Sequence, residues 1–286
     1  MHSVAALRSY YARFIAGKGG VYDQRIVAAF EAVPREQYVG PGPWKVFAFG
    51  AGYIETPSDD PAFLYQDVLI GLVTDHGINN GEPSLHARCL AALQPPAGAS
   101  VLHVGAGTGY YTAVLAALVG PHGSVAAYEI DADLARKASA NLSGLSNVTV
   151  VNRSAAEGDL PDSDVIYVNA GATDPLDAWL DALRPGGRLL FPLTPDRGLG
   201  GMLLLTRTDG AHFAAQFVCP AAFIPCQGAR DEATSKRLAK AFAQGNMASV
   251  KTLHRGQAAD QSAWCSGKTW WLSTESKPPG ITLSSA

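Results

Sequence analysis

Three glycines at alternate positions, Gly105, Gly107 and Gly109, follow directly on the apolar run 101–104. Glycine at a strand end lets the backbone come close to a ligand where a Cβ would collide. Glu129 lies 20 residues after Gly109, near the end of the next apolar run, 125–130. A carboxylate there accepts hydrogen bonds from both hydroxyls of a ribose, so the pair points to a nucleoside ligand. A dinucleotide such as NAD requires a third glycine, in G-x-G-x-x-G, to bring a pyrophosphate to the helix N-terminus. Tyr110 stands at that position. The spacing therefore favours S-adenosylmethionine, which carries no phosphate. The tract Ser266-Gly267-Lys268-Thr269 is not a nucleotide-binding loop, because Ser262 replaces its first glycine.

These residues need elements to hold them, and the pattern supplies a repeated β-α-β. Strands are expected at 101–104, 125–130, 148–151, 165–168 and 188–193, with helices at 111–119, from Asp131 to about Leu142, and at 175–183. Such alternation implies a parallel sheet with helices on both faces and a ligand crevice at the carboxyl ends of its strands. Runs at 202–206 and 213–218, separated by Asp209-Gly210, read as an antiparallel hairpin. Upstream, Leu7, Tyr11 and Phe14 suit one face of a first helix ended by Gly17, Gly19 and Gly20. A second helix, 26–33, stops before Pro34. The stretch 41–61 reads as an ordered loop, and 86–93 as a helix leading into the core. Beyond Gly228, a charged segment has helical spacing at Leu238, Phe242 and Val250, followed by Trp264, Trp270 and Trp271. These tryptophans are expected to pack on the core, and the last dozen residues read as a flexible end. The implied organisation is a helical and loop-rich cap at 1–95, a cofactor-binding core at 96–228 and an extension at 229–286.

Composition narrows the partners. Hydrophobic residues make up 47% of the 286 and charged ones 16%, enough for a large buried core. A net charge of −3 gives no pull towards nucleic acid or an anionic membrane. No run of about 18 apolar residues announces a membrane span, and the N-terminus lacks the apolar stretch of a signal peptide. Cys89, Cys219, Cys226 and Cys265 form no C-x-x-C pair, so reduced thiols in the cytoplasm are expected. The histidines show no ligand-like spacing, and no metal site is expected.

The sequence also resembles the protein-L-isoaspartate O-methyltransferases over about residues 20–230. The resemblance rests on Ala28-Ala29-Phe30 through Val33-Pro34-Arg35-Glu36-Gln37-Tyr38-Val39 and on Leu64-Tyr65-Gln66-Asp67-Val68-Leu69-Ile70. It continues through 105–118, Leu183-Arg184-Pro185-Gly186-Gly187-Arg188-Leu189 and Phe223-Ile224-Pro225. It implies an α/β, Rossmann-like class I methyltransferase with a mostly parallel seven-stranded sheet and a C-terminal antiparallel hairpin. It further implies that Gly105, Ala106, Gly107, Thr108 and Gly109 line the methionine half of S-adenosylmethionine, with Tyr110 also among the cofactor-binding residues, that Glu129 holds the ribose and that Ile130 lies against the adenine. Ser154 and Ala155 fall where the family has Asp-Gly near the adenine. Asn169 and Ala170 would border the methyl-transfer centre. His103, also counted among the cofactor-binding residues, replaces an acid of the family's first strand.

The family's G-Q-T-I-S-Q-P motif falls on Gly77-Ile78-Asn79-Asn80-Gly81-Glu82-Pro83, which puts Gly81 in place of its serine. By that register Asn79, Asn80 and Gly81 orient the acceptor. A carboxylate acceptor, with a pKa of about 4, is ionised at neutral pH and needs no general base. A phenol or amine would need one, and His86 or His103 are the candidates. The expected activity is carboxyl O-methylation of a protein, peptide or small-molecule acceptor. Two alternatives stay open: a methyltransferase of a modified peptide or metabolite, and a cofactor-binding protein without turnover.

Overall fold

The computed structural model describes residues 3–209 and 212–276. The chain divides into two compact units, Met1–Ala155 and Ala156–Ala286.

The first unit opens with helix α1 (Val4–Gly19), capped at its start by the Ser3 hydroxyl and closed by Gly20 in a left-handed conformation. Tyr11, Ala12, Ile15 and Ala16 form its buried face. Tyr11 is as expected, but Phe14 points outward and stacks on Tyr10. The buried stripe runs one position further round than the apolar spacing of Leu7, Tyr11 and Phe14 implies. Helix α2 (Gln24–Ala32) starts on the Asp23 carboxylate and ends before Pro34, whose ring excludes a continuing helix. The loop 41–61 contains a small hairpin, β1 (Lys45–Ala48) and β2 (Gly52–Glu55). Strands β3 (Gly71–Val73) and β4 (Ile78–Asn79) frame the next loop, which leads into helix α3 (Pro83–Leu93).

Strands β5 (Ser100–Val104), β6 (Ser124–Tyr128) and β7 (Val148–Val151) follow, each parallel to its neighbour in the order β5–β6–β7. Helix α4 (Tyr110–Val119) connects β5 to β6, and helix α5 (Ala132–Asn141) connects β6 to β7. Nine of the ten α4 residues are buried, so this helix is apolar on nearly every side. Helix α5 is amphipathic and buries only Leu134, Ala135 and Ala138.

In the second unit, β8 (Ser163–Val168) runs parallel to β9 (Leu183–Leu193), joined by the short helix α6 (Asp177–Ala182). Strand β10 (Gly200–Asp209) adds antiparallel to β9, β11 (His212–Ala221) adds antiparallel to β10, and Asp209 pairs with His212. The expected hairpin is thus present, although its Gly210 lies outside the described residues. Helix α7 (Glu232–Gln244) is shorter than the helical spacing of the charged segment implies. Val250 and Leu253 lie beyond it, and three further antiparallel strands follow: β12 (Thr252–Arg255), β13 (Ala263–Ser266) and β14 (Trp270–Ser273). Trp270 and Trp271 are buried on β14, while Trp264 packs against Phe217 and Phe242. The end expected to be flexible lies, from 277 on, outside the described residues. Among the described residues no helix is long and apolar enough to cross a membrane.

Candidate active site

The turn after β5 is latched to the end of β6. The Gly105 and Ala106 N–H groups both donate to the Tyr128 carbonyl, at 2.9 and 3.1 Å. Gly107 N donates to Glu129 Oε2 at 2.7 Å, and Asp131 N donates to Glu129 Oε1 at 3.0 Å. Each carboxylate oxygen therefore keeps a lone pair for a further donor. Burial pushes the Glu129 carboxyl above its ordinary range, and the N–H groups of Asp131 and Gly107 oppose that shift. Gly105, Gly107 and Gly109 all have positive φ, at 76°, 57° and 98°. At Gly107 a Cβ would meet only Leu72 Cδ1, at 3.5 Å, so the backbone there faces nearly open space.

These features fit S-adenosylmethionine: a glycine cradle without side chains beside a buried acid with unused acceptor capacity. Thr108 is buried and its carbonyl takes a hydrogen bond from Asn141 Nδ2 at 2.9 Å. The Glu129 and Ile130 carbonyls are held by Asn152 Nδ2 at 2.9 and 3.2 Å. Neither asparagine was singled out by the sequence, since no local pattern ties a side chain to a carbonyl more than twenty residues away. Ile130 is 46% exposed, as an apolar residue awaiting a flat ligand would be. Ser154 is half-buried and Ala155 buried, just after β7.

Two residues assigned to the cofactor lie elsewhere. Tyr110 is packed among Tyr38, Phe30 and Tyr111, with its hydroxyl 3.3 Å from that of Tyr11. It seals α4 against α1 and α2 instead of lining the turn. His103 is fully buried, with Nδ1 2.8 Å from Thr112 Oγ1 on α4. Its alternating strand position sends the ring into the helix layer, and desolvation lowers its pKa to about 3. It is a neutral packing residue.

The loop 64–82 is organised by a side chain the sequence offered only as part of a motif. Arg35, wholly buried, donates through NH1 to the carbonyls of Leu64 and Gln66 at 2.6 and 3.0 Å. Through NH2 it donates to the Val68 carbonyl at 2.7 Å and to Asn80 Oδ1 at 3.2 Å. Tyr11 and Tyr110 flank the guanidinium, their ring centres 5.8 and 5.9 Å from Cζ. A buried cation needs such partnering; here both terminal nitrogens are satisfied, while Nε has no hydrogen-bond partner among the described residues. Asn80 Oδ1 also accepts from Ile70 N at 2.9 Å. Its Nδ2 is buried and has no hydrogen-bond partner among the described residues.

The neighbours of Asn80 divide the remaining work. Asn79 Oδ1 accepts from Gly81 N at 2.9 Å and Nδ2 donates to the Gly77 carbonyl at 3.1 Å, so both ends of this side chain shape the turn. Gly81 has φ +74°, and a Cβ there would lie 2.2 Å from His86 Nε2. His86 stacks on Tyr111 with ring centres 3.6 Å apart and 13° between planes. Burial, with smaller contributions from His103 and Arg35, holds its pKa down to about 3. A histidine so placed is neutral at pH 7 and is not a competent general base there. Ser84 is spent on structure: its N–H and hydroxyl both donate to Asp67, at 2.8 and 2.7 Å. Lys18 completes that cluster, 2.6 Å from Asp67 Oδ2.

In the second unit, Asn169 and Ala170 follow β8 directly and are half-buried.

Comparison with known proteins bears on the family and the fold. The family model for protein-L-isoaspartate(D-aspartate) O-methyltransferase matches residues 13–231. The chain is 32% identical over 213 residues to protein-L-isoaspartate O-methyltransferase 1 of Rhodopseudomonas palustris, covering 73% of this chain and 78% of that protein. It is 28% identical over 216 residues to the Methanothermobacter thermautotrophicus protein-L-isoaspartate O-methyltransferase, covering 74% and 90%. A solved protein-L-isoaspartate O-methyltransferase superposes with a TM-score of 0.65 at 24% identity, covering 82% of this chain and 69% of that one. A second, a putative protein-L-isoaspartate O-methyltransferase from Plasmodium falciparum in complex with S-adenosyl-L-homocysteine, gives 0.61 at 18% identity, covering 77% and 98%. The chain belongs to the protein-L-isoaspartate(D-aspartate) O-methyltransferase family, and it is a Rossmann-like class I methyltransferase that uses S-adenosylmethionine.

Proposed function

We propose that the protein methylates a carboxylate carried by a protein or peptide, and that the Asn80 amide receives that carboxylate. The observation that carries this reading is the buried, unpartnered Nδ2 of Asn80. Leaving a donor buried without a partner costs about 1–3 kcal/mol, and an acceptor oxygen would recover it. Arg35 and Ile70 N fix the other end of the amide, so the donor's direction is set in advance.

S-adenosylmethionine supplies the electrophilic methyl group. The chain's own contribution is to bind and align. Gly105, Ala106, Gly107, Thr108 and Gly109 would hold the methionine half, Glu129 the ribose, and Ile130, Ser154 and Ala155 the adenine side. Asn169 and Ala170 would stand at the methyl-transfer end. Asn79 and Gly81 keep the acceptor loop in shape. No residue need remove a proton, because a carboxylate is already ionised at neutral pH. The low basicity of His86, buried with its pKa held down to about 3, suits an acceptor that needs no base more than a phenol or an amine. Positioning and exclusion of water then account for much of the rate. The four cysteines are buried and form no disulfide among the described residues, which suits a reducing, cytoplasmic setting.

The test compares an isoaspartyl peptide with its aspartyl control in the parent protein and in Asn80→Asp. The aspartate keeps an oxygen for Arg35 and Ile70 N but replaces the donor by an acceptor. The expected result is methylation of the isoaspartyl peptide, with its KM raised about tenfold in N80D and cofactor affinity unchanged. Unchanged kinetics in N80D would remove Asn80 from acceptor binding. Methylation of neither peptide would turn the search to a modified peptide or a small metabolite, or to binding without turnover.

A further inference from the structure

We infer that the C-terminal strands β13 and β14 clamp the segment after β8, and that Trp270 and Asp174 are positioning residues for methyl transfer. This rests on the reading above in one respect, the placing of Asn169 and Ala170 at the transfer end of the cofactor.

The segment 169–174 has no helix or strand of its own, yet its backbone is gripped on several sides within the second unit. Gly171 N donates to the Ile224 carbonyl at 2.7 Å, and Cys226 N returns to the Gly171 carbonyl at 2.8 Å. Ala172 N donates to the Pro192 carbonyl at 2.9 Å, and Thr194 N returns to the Ala172 carbonyl at 2.8 Å. Arg230 NH1 donates to the carbonyls of Gly171 and Thr194, at 3.0 and 2.9 Å. These bonds fix residues 171 and 172. Thr173 N donates to the Ala229 carbonyl at 2.9 Å, and the next residue, Asp174, is reached from the chain's far end.

Trp270 Nε1 donates to Asp174 Oδ1 at 2.7 Å. Thr173 Oγ1 donates to Asp174 Oδ2 at 2.6 Å and accepts from Asp231 N at 2.8 Å. The Asp231 carboxylate then caps α7 through Thr234 N and Oγ1, at 2.8 and 2.9 Å, and pairs with Lys268 Nζ at 2.6 Å. Arg237 on α7 closes the ring, donating to Thr234 Oγ1 at 2.9 Å and to the Ser266 carbonyl at 2.6 Å. Ser266, Lys268 and Trp270 thus each reach the segment after β8 or the start of α7. Gly267 makes this possible, since a Cβ there would lie 2.1 Å from Trp270 Nε1. A tail that served only to cover apolar surface would not need a direct polar tie to that loop, from Trp270, and two more to α7 and its cap, from Lys268 and Ser266.

The family match ends at residue 231, so this clamp is built largely from chain outside it. Holding a reacting centre to within a fraction of an ångström is worth orders of magnitude in rate, and a loop without secondary structure needs external support to do so.

The experiment uses the full chain with Trp270→Phe, Asp174→Ala and Asp174→Asn. Two readouts are taken: hydrogen exchange of the peptide segment 165–176, and kcat and KM for methylation of the isoaspartyl peptide, beside calorimetric affinity for S-adenosylhomocysteine. W270F and D174A should exchange faster in that segment and lose about tenfold in kcat, with KM for the peptide and affinity for S-adenosylhomocysteine within about twofold of the parent. D174N, which retains an oxygen for the indole N–H, should restore both properties. Unchanged exchange in W270F and D174A overturns the clamp. Faster exchange with unchanged kcat overturns its role in positioning. A parent protein inactive on the peptide speaks against the proposed acceptor alone, and the exchange measurement still decides the clamp. Should W270F fail to fold, D174A and D174N carry the same comparison.

Discussion

Two turns in the first unit rely on glycines with left-handed backbones, and the glycines serve opposite ends. After β5, the space beside Gly107 is nearly open and its N–H meets the Glu129 carboxylate at 2.7 Å. Before α3, the space beside Gly81 is already filled, because a Cβ would lie 2.2 Å from His86 Nε2. One glycine makes room for a ligand, the other for a neighbouring side chain. In sequence the two look alike, and only packing tells them apart.

The comparison can be broken in several ways, and the largest effect should come from the buried histidine associated with each turn. Burial holds His103 on β5 and His86 beside Gly81 at pKa values of about 3. In the unfolded chain both titrate near 6.5. The unfolded state alone takes up protons as the pH falls below that value, so the stability these groups contribute is present above 6.5 and is lost on descent towards 3. Each costs about 1.4 kcal/mol per pH unit in that window. Denaturant unfolding between about pH 6.5 and 5 should therefore show a loss of about 3 kcal/mol from the pair, since the full slope is reached only below the unfolded pKa, and His103→Gln about half of it. Equal losses in parent and variant would contradict neutral burial.

Next in size is the open turn. Glu129→Ala removes the acceptor for Gly107 N and the one proposed for the ribose, and charge-assisted hydrogen bonds contribute about 1.5–3 kcal/mol each. Affinity for S-adenosylhomocysteine, measured by calorimetry, should fall about a hundredfold. A change below about threefold would mean that the carboxylate only shapes the turn.

At the filled turn, Gly81→Ser should cost about 2 kcal/mol in chemical unfolding, from the positive φ and from the collision with His86. Combining it with His86→Ala relieves the collision, so the double variant should be more stable than the sum of the singles by about 1 kcal/mol. Strict additivity would show that His86 does not set the identity of residue 81. The smallest effect should be at Ile130→Ala, which trims the exposed face assigned to the adenine. Here cofactor affinity should weaken about fivefold, or about 1 kcal/mol, with no change in unfolding.

Much of the first unit's parallel sheet was legible because its strands are apolar runs between helices whose caps are visible, such as Asp131 before α5. The glycine turn and Glu129 were legible for the same reason, since their spacing is local and fixed by the β-α-β frame. Arg35 as an organiser of the acceptor loop was not, because its partners are carbonyls, which leave no mark on residue identity. Asn141 and Asn152 escaped notice on the same ground. Strands β12, β13 and β14 were missed because they are only four residues each, too short for a period to show. Phe14 shows the converse limit: an apolar residue in helical register that the fold leaves exposed. His86 was read as a possible base from its chemistry alone, and only its stacking on Tyr111 and its depth show it to be neutral.

One titration bears most directly on the whole account: S-adenosylhomocysteine into the purified full-length protein, followed by calorimetry. The cradle of Gly105, Gly107 and Gly109 with Glu129 predicts a single saturable site with a dissociation constant in the micromolar range, about −8 kcal/mol. No measurable heat, at concentrations far above that range, would contradict it.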